Sequence, residues 1–463
     1  MLPSVSGKMR ICQAKSVLKN KSKVNIFLSS ATTCNCFILD GCAYLWVTPW
    51  PTSSPINHPV VADYVYSFMN CVQQKLRYGD VYLVFDRYIT NSTKTATRET
   101  RGTHGFKVFH LSSTCPLPPQ KQVLGVSENK QQLIKIIVEM LVTSIKFPDG
   151  CSNKLIVTGQ DSTPTEISPG GIVIQRRDLM TTHEEGDAIV VQQAIYAASV
   201  ENKIVQVCAD DTDIYVILLY HYRLQALQKH MQMVATHGQV TVIDIEATAK
   251  QLGDKVLDML PAHALTGCDQ VAMCHGIGKG KMLKSLLAGN SLSLLGELTA
   301  DFEDVLNQAT KFICACYGIS GAVSTMTEAR ITTWLKKMAR TSLTKTPALN
   351  SLPPTTGAFA QNVKRAHLQT AIWKQALKQD PPDVQVSDYG WEVKDGQDGS
   401  IEPVAIPGGE APAPDYVLKL IACKCESTTP CRTNLCSCVA ANMTCTAFCH
   451  LQNSMACSND SQS

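Results

Sequence analysis

The strongest constraint on this chain is a recurrence of short apolar runs that close on aspartate. Phe37-Ile38-Leu39 leads to Asp40, and Leu83-Val84-Phe85 leads to Asp86. Val205 to Ala209 leads to Asp210 and Asp211, with Asp213 just beyond. Short apolar runs of this kind read as strands buried on both faces, the habit of parallel sheets. Two further runs, KLIVTGQD (154–161) and GQVTVIDI (238–245), belong to the same set. Between the runs, residues 60–76, 129–145 and 184–199 place apolar side chains three and four apart, which predicts helices. The alternation predicts an α/β fold with a mainly parallel sheet flanked by helices. In such an open sheet, residues just past the carboxyl ends of neighbouring strands gather in one crevice. Ionised carboxylates gathered there repel and resist desolvation, so the cluster calls for protonation or for divalent cations.

Further acids join the pattern. Glu184-Glu185-Gly186-Asp187 opens the third predicted helix, and Asp269 stands in HALTGCDQVAMCHGIGKGK, ahead of a glycine-rich turn. Taken singly, each is an ordinary cap or first-turn acid; their number and order give them weight. After Asp86, the segment NSTKTATRETRG carries Lys94, Arg98 and Arg101 at spacings of four and three, one face of a helix if helical. That face is either a grip for a phosphate or simply solvated. In the turn, Gly276 and Gly278 permit close backbone approach, and Lys279 and Lys281 supply local positive charge, so these four are candidate nucleic-acid contacts.

The elements FILDG, VFDRY, EEGDA, DDTD and LTGCD followed by GIGK occur in an order that resembles the flap endonuclease branch of the PIN-like nuclease superfamily, over about residues 34–286. The resemblance implies a PIN-like fold and phosphodiester hydrolysis by two Mg²⁺ or Mn²⁺ ions. It assigns Asp40, Asp86, Glu185 and Asp187 to the first ion and Asp211, Asp213 and Asp269 to the second. Lys94, Arg98 and Arg101 become candidates for holding the scissile phosphate. Three positions depart from the family: Arg87 replaces a glycine, Asp187 a glutamate, and Lys279 a proline. A wider likeness joins such a nuclease-like region to a cysteine-rich tail, as in transposon-like animal proteins.

Of the twenty cysteines, eight fall between Cys423 and Cys457. These are Cys423, Cys425, Cys431, Cys436, Cys438, Cys445, Cys449 and Cys457. With no secretory signal in the first residues, such density points to zinc thiolate sites rather than disulfides. The tail resembles the tesmin/TSO1-like CXC domain, a zinc module that binds DNA in its better-known members. Leu451 stands where that family has a further cysteine, with His450 adjacent as a substitute ligand, and Leu435 replaces the usual tyrosine. Only Lys424 and Arg432 bring positive charge inside the cluster, so docking to protein fits the tail as well as reading DNA.

With 44% apolar and 17% charged residues the chain should fold, with enough for two or three packed domains, and no stretch approaches the roughly 20 apolar residues that span a bilayer. A formal charge of +3 gives no global pull toward nucleic acid, so a local patch must supply it. The expected organisation is a basic segment (1–30) that is loosely held or carries a weak first helix, a PIN-like nuclease domain (31–290), a helical extension (291–390), a Gly/Pro-rich linker (391–420) and a small zinc-type module (421–463). Nucleic acid, in the first place DNA, is the expected partner, with a protein partner for the tail, no membrane, and an intracellular, nuclear location. Two functions fit: a metal-dependent nuclease, or an inactive nuclease-like scaffold that binds DNA or protein. A Rossmann-type enzyme does not fit, because no G-x-G-x-x-G follows the first strand.

Overall fold

A computed structural model describes residues 15–26, 33–52, 58–89, 92–93, 107–237, 241–319, 325–339, 347, 349–393, 401–404, 423–426, 431–433, 435–440, 445, 449 and 457–459. The strands are β1 (Val24–Ile26), β2 (Cys36–Asp40), β3 (Asp80–Val84), β4 (Leu155–Thr158), β5 (Thr165–Ser168), β6 (Ile172–Gln175), β7 (Val205–Cys208), β8 (Met231–Val234) and β9 (Val242–Asp244). They form one nine-stranded sheet in the order β1-β9-β8-β7-β2-β3-β4-β5-β6. The central pairs, from β8 through β7, β2 and β3 to β4, are parallel. Each flank is closed by antiparallel strands, β5 and β6 on one side, β9 and β1 on the other.

The helices are α1 (Ser16–Ser22), α2 (Gly41–Val47), α3 (Val61–Leu76), α4 (Gln120–Leu124), α5 (Ser127–Ser144), α6 (Gly186–Ser199), α7 (Thr212–Leu224), α8 (Ile245–Leu252), α9 (Lys255–Leu265), α10 (Lys279–Leu287), α11 (Phe302–Cys316), α12 (Met326–Met338) and α13 (Thr356–Lys374). Successive strand residues face opposite sides, so each central strand feeds two cores. Cys36 and Ile38 of β2 pack with α6, α7 and α9. Phe37 and Leu39 pack on the other face with α3 and α5. Each fully buried Ile or Leu contributes about 1.5–3 kcal/mol, which fixes the register of the central strands. No helix among the described residues is long and apolar enough to cross a membrane.

Two expectations change. The run at 238–245 contributes β9, which is antiparallel to β8 rather than part of the parallel set. The weak first helix of the basic segment forms as α1, with Leu18 fully buried, and β1 adds a sheet edge beside β9. The expected linker begins with a packed hairpin, β10 (Trp391–Val393) and β11 (Ile401–Pro403). There Trp391 is buried, and Arg365 of α13 donates to the carbonyls of Gly390 and Val404 at 2.8 and 2.9 Å. The helical extension likewise shares the core on one face of the sheet, with Phe312, Phe359, Val363 and Trp373 buried beside α7 and α9. Amphipathic helices must bury their apolar faces, and α7 and α9 offer the surface for it.

Candidate metal centre

β2 lies between β3 and β7, and the chain continues from β2 through α2 and α3 while β7 is preceded by α6 on the opposite face. The carboxyl ends of these strands therefore border a switch point, where open sheets place their ligands. Asp40 ends β2 and caps α2, accepting from the Ala43 N–H at 3.1 Å. Asp86 follows β3, and its Oδ1 accepts from the Gly186 N–H at 3.0 Å, at the first residue of α6. Asp187 stands in the first turn of α6. Asp211 caps α7 and accepts from the Asp213 N–H at 2.9 Å.

Carboxylate oxygens of Asp187, Asp211 and Asp213 all lie within 4.8 Å of one another. Burial and then the neighbouring Asp86 push the Asp40 carboxyl up to about 7. Burial and the facing Asp213 push Asp211 upward. Such shifts arise where acids crowd together out of water, and protonation, a cationic side chain or a metal ion can each relieve them; hard carboxylate oxygens at this spacing could hold a divalent cation. Asp210, the first acid of the DDTD run, turns away to accept from the N–H and hydroxyl of Thr236.

Three groups outside the expected set complete the pit. Lys15, just before α1, donates to Asp213 Oδ2 at 2.7 Å and to Asp269 Oδ1 at 2.6 Å. Buried His263 of α9 lies 2.7 Å from Asp213 Oδ1 through Nε2. Burial and Lys279 press its pKa down to about 4, so the ring is neutral and donates from Nε2. Burial alone would raise Asp213, but Lys15 and His263 outweigh it and hold this carboxylate well below its usual range. On the other side, Lys130 of α5 lies 5.9 Å from the Tyr88 ring centroid, and its charge acts on Asp86 and Asp40. Lys130 falls inside a helix visible in the sequence, whereas Lys15 carries no signal that separates it from the other lysines around it.

Glu185 does not share the pit. Its oxygens accept from Gln270 Nε2 at 3.1 Å, from Gln369 Nε2 at 3.2 Å each, and from Trp373 Nε1 at 2.9 Å. These contacts make Glu185 a buried hydrogen-bonded anchor for α13, and it does not belong to the close group formed by Asp187, Asp211 and Asp213. The expected phosphate contact Lys279 is also corrected. It is buried, and its ammonium donates to the His263 and Gly267 carbonyls at 2.5 and 2.6 Å, tying down the end of α9 ahead of Asp269. Arg87 is buried and donates to the carbonyls of Gly159, Asp161, Thr181 and His183, fixing the approach to Asp187.

The turn ahead of α10 is open. Gly276 has φ +71°, and a Cβ at Gly276 or Gly278 would meet no atom within 4 Å. Lys281 is exposed beside it. Lys94, Arg98 and Arg101 lie outside the described residues.

The cysteine tail forms three overlapping groups: Cys423, Cys438, Cys445 and Cys449; Cys423, Cys425, Cys431 and Cys436; and Cys431, Cys445 and Cys457. Cys423 stands 3.7 Å from Cys431 and 3.8 Å from Cys445, sulfur to sulfur. Four sulfurs about 2.3 Å from a central zinc lie about 3.8 Å apart, so the spacing fits tetrahedral thiolate sites. No disulfide joins the cysteines among the described residues. His450 lies outside the described residues.

No known family pattern matches the sequence, and no curated protein matches it. Solved structures to which this chain shows a similarity include the catalytic core of Rad2 in complex with DNA substrate, at 13% identity and TM-score 0.36, covering 71% of this chain and 80% of that one. Human GEN1 in complex with Holliday junction DNA is similar at 13% identity and TM-score 0.34, covering 83% and 85%.

Proposed function

We propose that this chain is a divalent-metal-dependent phosphodiesterase of flap endonuclease type acting on nucleic acid, DNA in the first place, with a zinc-bearing tail that docks it on DNA or protein. The observation that carries the reading is the convergence of Asp187, Asp211 and Asp213, whose oxygens lie within 4.8 Å of one another at a sheet switch point. Asp187, Asp211 and Asp213 would hold Mg²⁺ or Mn²⁺, with Asp40 and Asp86 beside them. Bound there, the ion makes hydroxide available from water near neutral pH and offsets charge building on the phosphate.

The chain's own residues do the rest. Asp86, held by the Gly186 N–H, and Asp213, held by His263, are fixed in orientation before any ligand arrives. Lys130 places positive charge at the Asp86 side of the pit. The open Gly276–Gly278 turn and exposed Lys281 offer backbone amides and charge to a phosphate along the strand.

Incubation of the purified chain with flap, nicked, single-stranded and RNA-containing substrates should show cleavage that needs Mg²⁺ or Mn²⁺. The double change Asp211→Asn/Asp213→Asn should cost more than the roughly 10- to 100-fold typical of losing an outer metal partner. Cleavage that survives it, or no cleavage of any substrate, refutes the hydrolase. The second reading, a nuclease-like scaffold that binds without cutting, draws support from Glu185, whose oxygens are given over to Gln270, Gln369 and Trp373. Metal-independent binding of the same substrates without cleavage would select it.

A further inference from the structure

Lys15 enters the acid pit from a segment that is anchored at several points. Leu18 is fully buried, Ser22 Oγ meets the Tyr215 hydroxyl at 2.9 Å, and Lys19 donates to the Asp210 carbonyl at 2.7 Å. Just after α1, β1 pairs in register with β9 from Val24 to Ile26. A side chain carried by such a segment is part of the floor of the site, not a plug on a tether. Its ammonium is nearly enclosed, with 13% of the side chain exposed, and it bridges Asp213 and Asp269 at 2.7 and 2.6 Å.

A divalent ion shared by those two carboxylates would stand about 2.1 Å from each oxygen, in the volume the ammonium fills. Two cations forced together there would also repel at short range in a partly dry environment. The acids left for a metal are Asp187, Asp211 and Asp213, a single cluster, with Asp40 and Asp86 next to it.

We propose that Lys15 is the built-in cation of this centre: it replaces a second metal ion between Asp213 and Asp269, so that the pit takes one divalent ion instead of two. Lys15 is then a positioning residue, holding Asp213 toward the ion and keeping a fixed positive charge on the Asp269 side. The inference rests on the metal-centre reading above, and ion counting separates the two.

The full-length chain, with zinc retained in its tail, is titrated with Mn²⁺ and followed by electron paramagnetic resonance. Ions are assigned to the pit by their loss in Asp187→Asn/Asp211→Asn. The wild type should bind one Mn²⁺ there. Lys15→Met, which keeps the length and removes the charge, should bind two with a spin-coupled signal, and Lys15→Arg should return the count to one. Two coupled ions in the wild type overturn the inference and leave the metal centre standing, whatever the variants do. One ion in a Lys15→Met protein with wild-type near-UV circular dichroism overturns it as well. No Mn²⁺ in wild type or variants overturns the metal-centre reading and this inference with it.

Discussion

The Asp86 carboxylate reaches the first N–H of α6 because residue 186 has no side chain. A Cβ at Gly186 would fall 2.5 Å from Asp86 Oδ1 and 3.4 Å from the Asp86 nitrogen, so either the acid or the helix start must move. Gly186→Ala should therefore weaken Mn²⁺ binding and cleavage about 10- to 100-fold, the scale for losing an outer contact that orients a metal-facing acid. Near-UV circular dichroism should stay close to wild type, since the disturbance is confined to one helix start. A variant with unchanged Mn²⁺ affinity would show that the Asp86–Gly186 contact does not orient the site.

Other single residues show where the sequence is a sufficient guide and where it is not. The places of Asp40, Asp86, Asp187, Asp211 and Asp213 can be read from the sequence because each stands at or just past a strand end or at a helix start, whereas Asp269 lies in the loop after α9. Glu185 and Lys279 are next to such positions, and there the guide fails. Their fates are decided by Gln369 and Trp373 of α13 and by the carbonyls at the end of α9, partners that only the tertiary fold supplies.

At the level of elements, α13 matters more than its place in a helical extension suggests. Trp373 is 2% exposed, and its indole N–H donates to Glu185 Oε2 at 2.9 Å, while its carbonyl accepts from His221 Nε2 of α7 at 2.8 Å. Trp373→Phe keeps most of the apolar bulk but leaves a buried carboxylate one donor short, at a cost of about 1–3 kcal/mol. Chemical denaturation should show that loss, whereas Trp46→Phe, at a 47% exposed position, should stay within about 0.5 kcal/mol of wild type. Equal effects would mean that Glu185 is not anchoring α13. The helices with clear three- and four-residue spacing, α3, α5 and α6, fall within two residues of their expected bounds. Strands β1, β5, β6 and β8, three or four residues long, lack the aspartate that ends β2 and stands within two residues after β3 and β7, marking those strand ends in the sequence.

Across the whole molecule, two kinds of interior coexist. The sheet and its helices are held by aliphatic and aromatic burial, whereas the buried cluster of the tail is almost entirely cysteine, with Val439 packed against it. Among the described residues of the tail the buried side chains are cysteines, and metal binding can offset the conformational entropy that such an interior does not. Cys423, Cys431 and Cys445 each belong to two of the three groups, and a thiolate can bridge two ions, so eight cysteines can serve three zinc positions. Metal analysis of the purified chain should find three zinc ions. Under chelator titration the position of Cys431, Cys445 and Cys457, with three sulfurs among the described residues against four for the others, should empty first. Removing all the zinc should abolish the ordered signals of the tail in a methyl or amide NMR spectrum while the unfolding midpoint of the sheet domain shifts little, because none of the tail cysteines belongs to either large core. Zinc-free protein with an ordered tail, or a sheet domain that melts together with metal loss, would show that the cysteines are not a separate metal-built interior.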